Sequence, residues 1–213
     1  MEIAPAGIKA YGMVGGVAGL LRDSDITNCY TTGDVSGFYC VGGVAGYINY
    51  INCGSSISNC YATGAVSGDH SVGGVAGSGD NSNISNCYAT GDVSGSDSQV
   101  GGIVGGFGGG SITNSYATGA VTGFRNVGGV AGAISGVNIT NCYAAGTVSG
   151  SGHASSYKVL PSYTGGVVGY VGEGSITNCV ALNPSLGLLM VLMSDVWWVV
   201  CMPYLPIIGH TAP

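Results

Sequence analysis

Charge is what this chain has least of. Of 213 residues, four are Lys or Arg and ten are Asp or Glu, together 7%, against roughly 25% in ordinary globular chains. So thin a basic complement, with a net charge of −6, excludes a phosphate-backbone binder, which needs a Lys/Arg-lined surface; no nucleic-acid partner is expected. The first 13 residues hold no basic stretch followed by an apolar run, so no signal peptide is visible and the chain reads as an excerpt of a longer polypeptide. Nothing in residues 1–183 has a helical period. Metal patterns are missing too, both Cys-x-x-Cys and the Gly-rich nonapeptide of calcium-binding β-rolls. The run Gly105 to Gly110 lacks the Lys-Ser/Thr of a phosphate loop and is read as a turn.

Catalysis would need carboxylates, His or Arg gathered on one face. His70, His153 and His210 are scattered, and Asp34 and Asp92 share a repeat position with Ala65 between them. That puts two carboxylates two coils apart, roughly 10 Å, outside the pair spacing of about 6.5–9.5 Å for an inverting glycosidase. No catalytic residue, metal or cofactor is assigned, and the chain is not expected to be an enzyme.

What is present is repetition. The sequence Ile84-Ser85-Asn86-Cys87-Tyr88-Ala89-Thr90-Gly91-Asp92-Val93-Ser94-Gly95, then Val100-Gly101-Gly102-Ile103-Val104-Gly105, recurs with small changes. Its Ile-[Ser/Thr]-Asn-Cys part begins at Ile26, Ile57, Ile84, Ile112, Ile139 and Ile176, in steps of 27, 28, 31 and 37 residues. A period in this range means one supersecondary unit stacked on itself. With 42 glycines, 46% apolar residues and little charge, the composition fits strands joined by tight turns and not disorder.

Within a copy, Cys87, Ala89, Gly91 and Val93 alternate with Tyr88, Thr90, Asp92 and Ser94, so the first set points inward and the second outward. Ile84 also belongs inside but has the wrong parity, so a turn or bulge is expected at Asn86. The expected fold is all-β, a parallel β-solenoid (β-helix) of about six coils. Each coil would hold about three short strands, carrying Val-Gly-Gly-Val-Ala-Gly, Ile-Ser-Asn-Cys-Tyr-Ala and Gly-Asp-Val-Ser-Gly. The six equivalent asparagines should form a hydrogen-bonded ladder.

Cys29, Cys60, Cys87, Cys142 and Cys179 occupy one repeat position, where the fourth copy has Ser115. A site that accepts serine needs a small side chain and not a bridge, so a column of buried thiols is expected. With coils roughly 4.8 Å apart, a strained Cys60–Cys87 bridge stays open as the alternative. Tyr30, Tyr61, Tyr88, Tyr116 and Tyr143 should stack outside. Stacking alone explains them, and an aromatic stripe is also a platform for sugar rings or an apolar partner. Residues 47–55 and 78–82 read as modest loops. The longer insertion, Ser149 to Ser162, carries His153, Tyr157 and Lys158, and such insertions often build binding faces. These eight residues are the candidate ligand-binding set.

Composition changes at Pro184. Residues 184–213 hold both Trp and three of the five Met, unlike the repeat domain of residues 1–183. Leu186 to Ile208 is long enough to span a bilayer, although Asp195, Pro203 and Pro206 interrupt it. An apolar cap on the last coil, a membrane anchor and a change of reading frame all remain open for this tail. A membrane is a partner only under the second.

The unit Gly-Gly-[Val/Ile]-[Ala/Val]-Gly followed by Ile-[Ser/Thr]-Asn-Cys-Tyr-Ala-Thr-Gly-x-Val-Ser-Gly resembles the GLUG repeat, with close matches at Val72 to Gly77 and Val127 to Gly132. The resemblance covers roughly residues 10–183. It implies a bacterial surface or secreted protein, like filamentous-haemagglutinin-type adhesins and the non-catalytic regions of immunoglobulin A-cleaving metallopeptidases. A structural or adhesive role in an extracellular or cell-surface location follows as an expectation, with host or surface glycans or proteins as partners. No catalytic residue transfers. The rival expectations are a carbohydrate-processing β-helix enzyme and the accessory repeat region of a secreted peptidase.

Overall fold

A period-2 strand can bury one side only, so each repeat must seal its apolar side against the next. In the computed structural model, which describes residues 8–49, 54–155, 158–160, 162–184 and 186–188, the copies do this by winding into a parallel β-solenoid. Among the described residues there is no helix. Like residues stack on like: Val66, Val93 and Val121 are paired in register, as are Ile84, Ile112 and Ile139 and Tyr61, Tyr88 and Tyr116. Six rungs, hence five full turns of chain, separate Val14 from Thr164 in one sheet.

Each rung holds four strands, one more than the sequence suggested. One full circuit runs Val93–Gly95, Ser98–Gly101, Val104–Thr113 and Tyr116–Ala117, and each strand belongs to its own parallel sheet. The extra strand arises because Val-Gly-Gly-Val-Ala-Gly is not one element. The chain bends at Gly102-Ile103, so sharply that a Cβ on Gly101 would lie 2.1 Å from the Val104 carbonyl oxygen. Beyond the bend, Ala76–Ser85, Val104–Thr113 and Ala131–Thr140 are continuous ten-residue strands. They run through residues 78–82 and Gly105 to Gly110, which read from sequence as a loop and a turn. Backbone pairing to rungs above and below overrides the poor strand propensity of Gly, Asp and Asn. The insertion after Ser149 is likewise structured, as an antiparallel hairpin of His153–Ser155 with Lys158–Leu160.

The bore is narrow and divided. Val14, Val35, Val41, Val66, Val72, Val93, Val100, Val121, Val127 and Val148 form an all-valine column. A second column holds the repeated Ile, Cys and Ala positions, with Val44, Val75, Ile103 and Val130. Two successive inward positions, Ile84 and Cys87, are reconciled by a left-handed residue between them. Asn28, Asn59, Asn86, Asn114, Asn141 and Asn178 all have φ of 50–55°, where asparagine is tolerated better than branched residues. The asparagine ladder forms: Asn114 Nδ2 donates to Asn86 Oδ1 at 3.2 Å and Asn141 Nδ2 to Asn114 Oδ1 at 3.1 Å. A second left-handed column, Cys40, Ser71, Gln99 and Asn126, was not anticipated.

Leu186–Leu188 pairs with Val148–Gly150 as a seventh strand of the Val-Ser-Gly sheet. Residues 189–213 lie outside the described residues, and with them the cap and anchor readings of the tail.

Candidate functional site

The Tyr-Ala strands are only two residues long, so their register is fixed by the buried Ala or Thr at each second position. That fixes the tyrosines too. Tyr30, Tyr61, Tyr88, Tyr116 and Tyr143 stack with centroids 4.9, 4.7, 5.0 and 4.8 Å apart and planes within 6° of parallel. Aromatic pairs of this kind contribute about 0.5–1.5 kcal/mol each beyond burial. Stacking consumes the ring faces, so the ladder presents half-exposed edges and phenol hydroxyls to solvent. Along its length it is a comb of hydrogen-bonding groups and not a platform for sugar faces. Desolvation in the stack, then the neighbouring Tyr61 and Tyr116 phenols, raise Tyr88 above its ordinary pKa.

The other candidates do not join this ladder. His153 and Lys158 sit on the two strands of the insertion hairpin, and Tyr157 lies outside the described residues. Asp34 and Asp92, weighed from sequence as a carboxylate pair, each accept a backbone N–H from the next rung, Ala65 N at 2.9 Å and Ala120 N at 2.8 Å. They are inter-rung caps.

Sequence reasoning missed one charged cluster. His70 Nδ1 lies 2.9 Å from Asp97 Oδ2, and Arg125 Nη2 lies 3.5 Å from Asp97 Oδ1, while Tyr39 stacks on the His70 ring at 5.1 Å. Three successive rungs thus contribute one side chain each. The signal was faint because Asp97 sits one position out of step with His70 and Arg125. Both side chains are turned onto the carboxylate. Neither His70 nor Asp97 lines the clefts that follow. One cleft, of about 640 Å³, lies between Lys9, Tyr11, Ser36, Phe38, Ser67 and Asp69. A second, of about 310 Å³, opens on the long-strand sheet beside Asp80, Gln99, Asn126 and Tyr170. Among the described residues no three His, Cys, Asp or Glu side chains are grouped to hold a metal.

The thiol column is present and unbridged, with Cys29, Cys60, Cys87, Cys142 and Cys179 all free. Each of the last four turns its Sγ to the carbonyl two residues back, at 3.1–3.3 Å. Ser115 Oγ makes the same bond to Thr113 O at 2.8 Å. The position therefore needs a small donor, which is why serine substitutes. Burial pushes Cys142 from the ordinary 9.0 up to about 11, and Cys87 is raised by its hydrogen bond to Cys60 and by burial. A raised thiol leaves stability intact below pH 9 and withdraws it as pH climbs toward 11, because the unfolded chain ionises first. We expect iodoacetamide at pH 8 to leave Cys87 and Cys142 unlabelled in the folded chain and to label both in urea, read by peptide mass spectrometry. Labelling at equal rates in the two states would contradict the buried column.

Against known proteins, the model described as "Glug: The GLUG motif" matches residues 10–36, 39–67, 68–94, 96–122 and 161–186, well over half of the chain. The chain belongs to the GLUG motif family. Its fifth rung, around residues 123–150, lies outside the matched residues, yet the structure shows it as a full four-strand coil paired on both sides. No curated protein sequence matches significantly. Among solved structures, the chain is similar to a protein from Bacteroides ovatus provisionally described as an immunoglobulin A1 protease. Identity is 28% and TM-score 0.62, over 84% of this chain and 58% of that one. This GLUG chain therefore spans less than two thirds of that neighbour's length.

Proposed function

We propose that this GLUG solenoid is a non-catalytic, rigid adhesive spacer of a secreted or cell-surface bacterial protein, which displays side chains along its length to host or surface glycans or proteins. The observation that carries this reading is the unbroken tyrosine ladder, five edge-exposed phenols at rung spacing, on a rod whose carboxylates Asp34 and Asp92 are committed to backbone caps. The test is retention of the purified chain on immobilised mucin-type glycoprotein and on epithelial cells. Saturable retention is expected, falling about tenfold or more in the triple variant Tyr61→Ser, Tyr88→Ser, Tyr116→Ser while the far-ultraviolet spectrum stays β. Release of reducing sugar or peptide fragments by the wild-type chain would overturn the non-catalytic part.

A second reading is favoured by the structural neighbour: the chain as the accessory repeat region of a secreted peptidase, with the catalytic domain elsewhere in the polypeptide. Immunoglobulin A bound but left uncleaved by this chain would support it.

A further inference from the structure

The outward column on the long-strand sheet changes size abruptly. In register it reads Tyr47, Ser78, Gly106, Ala133, Tyr170, three small residues between two tyrosines roughly four rungs, or 19 Å, apart. The dip is the cleft of about 310 Å³, at the lower edge of the ~300–1,000 Å³ of small-ligand pockets. Its glycines make room for polar groups. A Cβ on Gly106 would lie 2.5 Å from Gln99 Oε1, and one on Gly108 2.5 Å from Asp80 Oδ1, so both side chains lean over the space that the glycines leave. They are also held in place: Gln99 Oε1 accepts from the Ser71 hydroxyl at 2.8 Å, and Asp80 Oδ2 accepts from the Tyr47 hydroxyl. Asn126 and Ser135 line the rest.

We propose that this notch binds a neutral sugar, one or two hexose-type rings at the end of a glycan. Its chemistry excludes the alternatives. No Lys, Arg or His lines it, so an anion has no counter-charge. A single carboxylate already shared with a phenol does not make a cation site, and a lining that sets Asp80, Gln99, Asn126 and Ser135 beside Phe107 and Ala133 suits a ligand with both hydroxyls and C–H faces better than a wholly apolar one. A carboxylate and planar amides converging beside a ring suit vicinal hydroxyls on one side and the C–H face of a pyranose on the other. Tyr170 supplies that ring. It is 44% exposed and only tilted against Tyr163, at 47° and 5.5 Å, so its faces are not consumed as those of the ladder are. The left-handed backbone at Gln99 and Asn126 places both amides at the rim.

The inference rests on the adhesive reading only for its biological use, and its test is separate from retention on cells. Purified chain is titrated with neutral oligosaccharides ending in hexose or N-acetylhexosamine, and with their sialylated and sulfated counterparts, by nuclear magnetic resonance. Shifts are expected at the amides of Asp80, Gln99, Asn126 and Ser135 with the neutral set. Asp80→Asn, which keeps the shape, and Tyr170→Ala should each weaken affinity about tenfold, equal to ~1.4 kcal/mol, while Thr122→Ala, exposed on a different sheet, leaves it unchanged. No shift with any neutral sugar overturns the proposal. So does preference for the acidic set, or unchanged affinity in both folded notch variants. Failure here with retention on mucin intact removes the notch and spares the adhesive reading.

Discussion

Val93→Asp is expected to abolish the folded solenoid, whereas Asp92→Val, one residue away, lowers the melting temperature by only a few degrees. Val93 is 1% exposed and stacks between Val66 and Val121 in a column made entirely of valine. A carboxylate there has no donor to meet, and burying an unpaired polar or charged group costs several kcal/mol even before strain. That is a large part of the roughly 5–15 kcal/mol that holds an ordinary domain together. Asp92 is exposed, but it accepts the Ala120 N–H at 2.8 Å, so its loss costs about 0.5–1.5 kcal/mol. For a chain of this size each kcal/mol shifts the midpoint by about 2–4 °C. Thermal melts followed by circular dichroism separate the two outcomes. Comparable tolerance of both substitutions would refute the inside and outside assignment on which every column depends.

That assignment was legible because repetition lets a single sequence report on itself. Serine at position 115 among the cysteines, and Asp, Ala or Thr at the Asp92 position against invariant valine at Val93, distinguish a packed site from a solvated one. The broken parity between Ile84 and Cys87 announced the left-handed asparagine. Other features were hidden for physical reasons. The bend after Gly101 looks, as letters, like more strand, since small residues serve equally for a strand packed against backbone and for a corner. The second left-handed column spells Cys40, Ser71, Gln99, Asn126, four half-buried residue types with no shared motif, because the site constrains φ more than chemistry. The notch between Tyr47 and Tyr170 exists only once register is known: those residues lie four rungs apart, and the insertion after Ser149 shifts the last of them. Likewise the faces of the tyrosine ladder are lost to stacking, a fact set by the rung spacing and invisible in the tyrosines themselves.

Gly101→Ala is the sharper test of how the rungs are held. Its Cβ would fall 2.1 Å from Val104 O, 2.6 Å from Gly132 N and 2.8 Å from the Ala131 Cα. All three are backbone atoms, the first in the same rung and the others in the next, so no side chain can swing aside. Relief requires the Gly-Gly bend to open or the neighbouring rung to separate, and either breaks in-register pairing on the valine and long-strand sheets together. The same crowding recurs at Gly42, Gly73 and Gly128, each within 2.0–2.1 Å of its own carbonyl partner, so the corner is a property of the repeat. In a one-dimensional stack stability is carried by neighbour interfaces. A fault at this central rung should therefore leave two short arrays, each poorer in buried surface than the whole. We expect a loss above about 4 kcal/mol, the range reserved for overpacking and comparable faults, seen as a collapse of the melting transition and of amide protection on both sides of residue 101. Gly172→Ala is the matched control, since its added methyl would meet only Ser135 and the Ile134 carbonyl at 3.4–3.6 Å. Should the two alanine variants melt within a few degrees of each other, the tight Gly-Gly corner is not what spaces the rungs.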